Sequence, residues 1–111
     1  MDIEKYKQLA KLIRDNEIYR VYDLPELKRL NLSLTELNPQ KSTTGHSHED
    51  VEEIYVFIGG EGTMENGSQN IEVKAGDVVP VKQGDFHRVY NKGEGILSFW
   101  AIFEKHEGRG K

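Results

Sequence analysis

The stretch GHSHEDVEEIYVFIGGEG, residues 45–62, sets His46, His48 and Glu53 ahead of an apolar run and closes on glycines. A third histidine, His87, follows in GDVVPVKQGDFHRVYN, residues 76–91. The chain has only four histidines, so three of them in two glycine-bracketed, strand-like segments point to a metal site. On an extended strand residues two apart face the same way, which lets His46 and His48 take neighbouring positions around one ion. A His-x-His pair alone is a weak signal, because such pairs also arise on exposed strands. The acid at the strand start and the separate, turn-flanked His87 strengthen it.

Outward from these segments the chain reads as short strands divided by turn signals. EEIYVFI, TME, NIEVK, VVPV, HRVYN and ILSFWAIFE are separated by GGEG, Asn66-Gly67, Ala75-Gly76-Asp77, Lys82 to Asp85 and Asn91 to Gly95. Asn66-Gly67 is the strongest hairpin signal, since both residue types tolerate the positive φ of a type I′ turn. Upstream, IYRVYDL and then Leu30, Leu32 and Leu34 alternate with polar partners, and NPQKSTTG is a loop by composition. Many short strands at nearly even spacing indicate an all-β, antiparallel sandwich or barrel. At the start, Asp2 is placed to cap a helix, and Ile3, Tyr6, Leu9, Ala10 and Ile13 recur at helical spacing, leaving Lys5, Lys7, Lys11 and Arg14 on the other face. This predicts an amphipathic N-terminal helix over 1–16 packed on a barrel of 17–105, followed by a polar tail at 106–111 that holds His106. The whole forms a single domain.

A length of 111 residues suits one core. A net charge of −4 offers no basic field for phosphate backbones, so a nucleic-acid partner is not expected, and small molecules or proteins are favoured. No apolar run is long enough to span a bilayer and MDIEKYKQ lacks the regions of a signal peptide, so no membrane partner is expected and the chain is read as cytoplasmic. With no cysteine, disulfides, thiolate ligands and a cysteine nucleophile are excluded, and any metal must be held by nitrogen and oxygen.

The two segments together resemble the paired motifs of the cupin superfamily. Gly45, His46, His48, an acid, then six residues and a glycine match the first motif; Gly76, Gly84, His87 and Asn91 match the second. Glu52 and Glu53 compete for the acid, with six residues between them and Gly59 and Gly60 respectively. Glu53 is preferred, because GGEGTM then supplies the motif's ending and because Glu53, Tyr55 and Phe57 share a face. Lys82 stands where the motif usually has proline, which alters turn rigidity but removes no ligand. The resemblance implies an antiparallel double-stranded β-helix, the cupin or jelly-roll barrel, with His46, His48, Glu53 and His87 as metal ligands.

Three imidazoles and one carboxylate suit a single divalent transition-metal ion: Fe, Mn, Zn, Ni or Co. Octahedral coordination would leave two positions for a ligand that binds through two oxygens. Tyr55 and Phe57, on the inward face, are the candidates for substrate contact, Tyr55 to orient a substrate or pass a proton. The leading expectation is a metal-dependent enzyme acting on a sugar, sugar phosphate or related hydroxy-carbonyl compound, isomerase-like in reaction. A non-haem Fe(II) dioxygenase and a non-catalytic, metal-organised binding or sensing protein are the alternatives. ILSFWAIF, taken as an exposed edge strand, predicts a homodimer. Arg88, Tyr90 and Lys82 are expected on the outside, and Trp100 in the core.

Overall fold

The computed structural model describes residues 3–105, so the Asp2 cap, His106 and the tail at 106–111 lie outside the described residues. Helix α1 (Ile3–Leu9) is followed by β1 (Lys11–Asp15), β2 (Tyr19–Asp23), β3 (Leu30–Leu37), β4 (Glu53–Gly59), β5 (Glu61–Asn66), β6 (Gln69–Lys74), β7 (Val78–Val81), β8 (His87–Tyr90) and β9 (Leu97–Glu104). A six-stranded sheet runs β1-β2-β3-β9-β4-β7 and faces a three-stranded sheet, β6-β5-β8; every pairing is antiparallel. This is the expected all-β jelly roll with a short N-terminal helix.

Alternation along each strand divides two apolar layers. Between the sheets Phe57, Met64, Val89, Leu97 and Phe99 are fully buried, with Tyr55, Val79 and Phe103 beside them. On the outer face of the large sheet Leu34 and Trp100, register partners, pack with Tyr6 of α1. Tyr6 and Trp100 meet edge to face at 4.7 Å and 85°, a geometry worth about 0.5–1.5 kcal/mol beyond the area it buries. The Tyr6 hydroxyl donates to the carbonyls of Tyr22 and Leu32, and Lys7 pairs with Glu36 at 3.0 Å, so α1 is tied to the sheet by its polar groups too.

The helix is shorter than its periodicity predicts. It stops at Leu9, Leu9 itself is exposed, and residues 11–15 pair with β2 as the edge of the large sheet. Strand pairing satisfies the backbone of this segment and seats Ile13 against the barrel interior, which outweighs a weak helical preference. Arg14 accordingly lies on a strand and not on a helix face.

The alternation in β3 has the opposite sense to an ordinary one-sided sheet. Leu32 and Leu34 point out toward α1, while Asn31, Ser33 and Thr35 are buried opposite Phe103, Ala101 and Phe99. The hairpin β5–β6 forms where expected, but Asn66 pairs with Gln69, leaving Gly67-Ser68 as the loop. Gly67 has φ 61° and Ser68 has no positive φ, the signature of a type II′ turn with glycine first, not type I′. Finally, β9 lies between β3 and β4. The edges of the large sheet are β1 and β7, so the edge-strand argument for a homodimer has no basis in this topology.

Candidate metal centre

The four expected donors arrive from three directions. Glu53 opens β4 and is hydrogen-bonded within a sheet on both sides, opposite Val81 of β7 and Phe103 of β9. Its side chain is buried at 5% exposure, while Glu52 is exposed. Strand parity thus puts Glu53 on the inner face and Glu52 on the outer one. Tyr55 and Phe57 follow Glu53 on the inner face.

His87 begins β8, and the preceding loop is sewn along it as a partial fourth strand of the small sheet. Ser42 bridges Tyr90, Thr43 N–H donates to the Val89 carbonyl at 2.9 Å, and His46 and His87 exchange both backbone hydrogen bonds. Two residues beyond His46, the His48 carbonyl accepts from Gly84 N–H at 2.8 Å. That contact joins the His-x-His loop to the turn before His87. Lys82 is exposed, and its carbonyl accepts from Asp85 N–H at 3.1 Å, so this turn closes without proline. Asn91 is buried and closes the next turn: its amide donates to the Leu37 and Gly95 carbonyls, and its oxygen accepts from Gly93 N–H. Arg88 and Tyr90 alternate outward, as expected, with the guanidinium 5.2 Å from the Tyr90 ring centre.

As a result, one donor atom from each of His46, His48, Glu53 and His87 lies within 4.8 Å of every other. Ligands about 2.1 Å from a common ion stand about 3 to 4.2 Å apart, so small side-chain rotations bring all four onto one centre. The His46 ring lies 4.5 Å from that of His87 and 4.6 Å from that of His48. Glu53 Oε1 is 4.0 Å from His48 Nε2, and Oε2 is 3.4 Å from His87 Nε2. The latter approach lacks hydrogen-bond geometry, and His87 Nε2 is a buried polar atom with no hydrogen-bond partner among the described residues. Its other nitrogen, Nδ1, sits 3.0 Å from the Asp85 carbonyl. A donor held at Nδ1 directs the Nε2 lone pair inward, as a metal-binding imidazole requires. The set fits a divalent transition-metal ion.

The same contacts shift the donors' titration. Burial, then the neighbouring His87 and His48, push His46 down to about 4, which keeps it neutral, with a ring lone pair free, at neutral pH. Burial by itself would raise Glu53, but His87 and the other two histidines hold it below its ordinary value, so it stays ionised. Burial would lower His87, yet the Glu53 carboxylate and the Asp85 carbonyl hold it above the ordinary value.

His46, His48 and Glu53 of the cluster line a cavity of about 490 Å³ on the inner face of the large sheet. Tyr55 lines it beside His46, His48 and Glu53; Phe57 does not and belongs to the packed core. Its other polar walls went unnoticed in the sequence: Ser33 and Thr35 of β3, Thr43 and Thr44 of the loop, and Arg14 of β1. The polar half of the β3 alternation was a usable signal for the first two. Nothing local signals Arg14.

Relatives share this architecture. A curated relative, the oxalate-binding protein of Thermotoga maritima, is 36% identical over 66 residues, 60% of this chain and 54% of the relative, so the chain spans about half the length of the curated relative it matches. A crystal structure of a predicted oxalate decarboxylase from Thermotoga maritima superposes with TM-score 0.77 at 24% identity over 90% of this chain and 96% of that one, which shows the fold alone. A mutant of Bacillus subtilis oxalate decarboxylase superposes with TM-score 0.75 at 25% identity, over 86% of this chain and 28% of that one. The family model for the cupin domain matches residues 33–103, which include all four clustered donors, and the chain belongs to the cupin family.

Proposed function

We propose that this cupin holds one divalent transition-metal ion on His46, His48, Glu53 and His87 and binds there a small organic carboxylate or hydroxy-carbonyl compound through two oxygens. A bound ion supplies Lewis acidity and coordination positions beyond the four protein donors. The observation that carries the reading is the convergence of three imidazoles and a buried carboxylate, with His46, His48 and Glu53 lining a cavity that is also walled by hydroxyls. Ser33, Thr35, Thr43 and Thr44 offer neutral donors and acceptors suited to ligand oxygens, and Phe99 and Phe103, on the strand paired with β3, add apolar wall beside them. The oxalate-binding relative supports a ligand of this chemistry.

Binding has more support than isomerisation. Apart from the donors, the titratable side chains among the described residues lining the cavity are Arg14, Tyr19 and Tyr55. An isomerase would need a group that removes and returns a proton beside the metal. Tyr55, whose ring centre is 5.8 Å from that of His87, is the residue placed for it and keeps that reading in play. Calorimetry with oxalate and with a 2-oxo acid, on metal-loaded and metal-stripped protein, tests the proposal: binding should require the metal. Equal binding to both forms, or none to the loaded form, would reject it.

A further inference from the structure

Along β9 the inward side chains run Leu97, Phe99, Ala101, Phe103, and Ala101 is the one small member. It is also the least buried of the four, at 7% exposure against 3% or less for the others. Register places it opposite Tyr55 of β4 and Ser33 of β3. Side chains paired across strands stand about 5 Å apart, and those two residues along a strand about 7 Å. Ala101 is thus the floor of a depression bounded by Tyr55, Phe99, Phe103 and Ser33, and all five residues line the cavity that His46, His48 and Glu53 line.

The depression lies beside the donors. Glu53 pairs with Phe103, two residues along β9 from Ala101, and that diagonal separates Glu53 from Ala101 by about 7–8 Å. Tyr55, two residues after Glu53, borders both, with its ring centre 5.8 Å from that of His87. Protein interiors are close-packed, so a small side chain among three rings leaves a space that costs stability unless something fills it. Three aromatic rings and a methyl group make up most of its wall, against the hydroxyls of Ser33 and Tyr55. A chain with a hydroxyl on every carbon would bring more polar groups than that wall can partner, whereas hydrocarbon needs none.

We infer that Ala101 is a specificity-determining residue of this site: it leaves room beside the metal for an apolar substituent, so the ligand is a chelating 2-oxo or 2-hydroxy acid that carries a hydrocarbon side chain, and not a bare two-carbon diacid. The inference rests on the metal-centred reading above and narrows its ligand. A cavity of about 490 Å³ is of the size that encloses such a molecule.

Calorimetry on Mn(II)-loaded protein with pyruvate, 2-oxobutyrate, 2-oxopentanoate and 4-methyl-2-oxopentanoate tests it, since these acids share one chelating end and differ only in hydrocarbon. Affinity should rise by about fourfold for each added carbon that the depression buries. Ala101→Leu, which fills the depression from within, should flatten the series at unchanged metal content. Ala101→Val, a smaller insertion that keeps the comparison open if leucine overpacks the fold, should reduce the slope in part. If pyruvate binds in a metal-dependent way but affinity is flat or falls along the series, or if the slope survives in the variants, the inference falls and the metal-centred reading stands. If neither oxalate nor any acid of the series binds the loaded protein, both fall.

Discussion

The backbone N–H of His87 donates to the His46 carbonyl at 2.9 Å, and that of His46 returns to the His87 carbonyl at 3.2 Å. Two histidines far apart in the chain thereby become one closed antiparallel pair, and their imidazoles are set by sheet geometry. Glu53 is held as firmly between β7 and β9. His48, two residues beyond the bridge, lies outside any strand or bridge.

Loss of a donor should therefore be graded. His87→Ala and Glu53→Ala should each lower metal affinity by more than the about 10–100-fold that follows loss of a ligand's supporting partner, and His48→Ala should cost least. Elemental analysis after dialysis against a weak chelator measures this. Full metal occupancy in the His87 and Glu53 variants would refute the ligand set.

In the metal-free protein the histidines should pull stability in opposite directions with pH. His46 is depressed to about 4, so between its ordinary 6.5 and 4 the unfolded chain binds a proton the folded chain refuses, and stability falls as pH falls through that window. His87 is raised, so its contribution is full below 6.5 and lost as pH rises through its folded value. Glu53 is depressed, so its contribution is present above 4.5 and lost on further acidification. The melting temperature without metal should peak near pH 6.5, and His46→Ala should flatten the acid side. Histidine ring resonances followed by NMR should titrate in the order His46 below His87.

Gly60 turns the chain from β4 into β5 with φ 81°, and a Cβ there would meet the Ile96 carbonyl oxygen at 2.4 Å. Backbone cannot swing aside as a side-chain tip can. Gly60→Ala should cost about 1–3 kcal/mol, read as a lower urea midpoint.

The helix should be anchored by its aromatic residue. Trp100→Ala should destabilise by about 3–5 kcal/mol, and Tyr6→Phe, which forfeits donation to the Tyr22 and Leu32 carbonyls, by about 1–2 kcal/mol. Both lie on the outer face of the sheet, so the variants that fold should retain metal in the same ratio as wild type.

Tyr55→Phe separates the two chemical readings. It removes a hydroxyl from a buried ring that stacks on Phe99 at 5.4 Å, so fold and metal content should persist. Ligand affinity should change by less than about tenfold if the protein only binds. An aldose–ketose or sugar-phosphate isomerase activity in wild type that falls about 100-fold or more in the variant would instead favour the proton-relay role.

Features with a period of two and a local spacing were legible in the chain. His46 with His48, and Glu53 with Tyr55 and Phe57, follow from strand parity, and the glycine and asparagine turns marked nearly every strand boundary. The four-donor cluster needed only that the two segments meet. What the residues left open was which side of a strand is inside, because that depends on what covers the other side. Leu32 and Leu34 face outward because α1 supplies an apolar lid there, which frees Ser33 and Thr35 to line the cavity. The same holds for β9, whose apolar residues on both faces suit an interior strand as well as an edge, and only its pairing with β3 and β4 assigns the place. Arg14 is the extreme case. Its helical-period neighbours argue for a solvent-facing residue, and a single bulge, invisible in the residue pattern because it is a property of the register with β2, turns it into the cavity. Local chemistry thus specified the donors, and non-local strand pairing specified the walls around them.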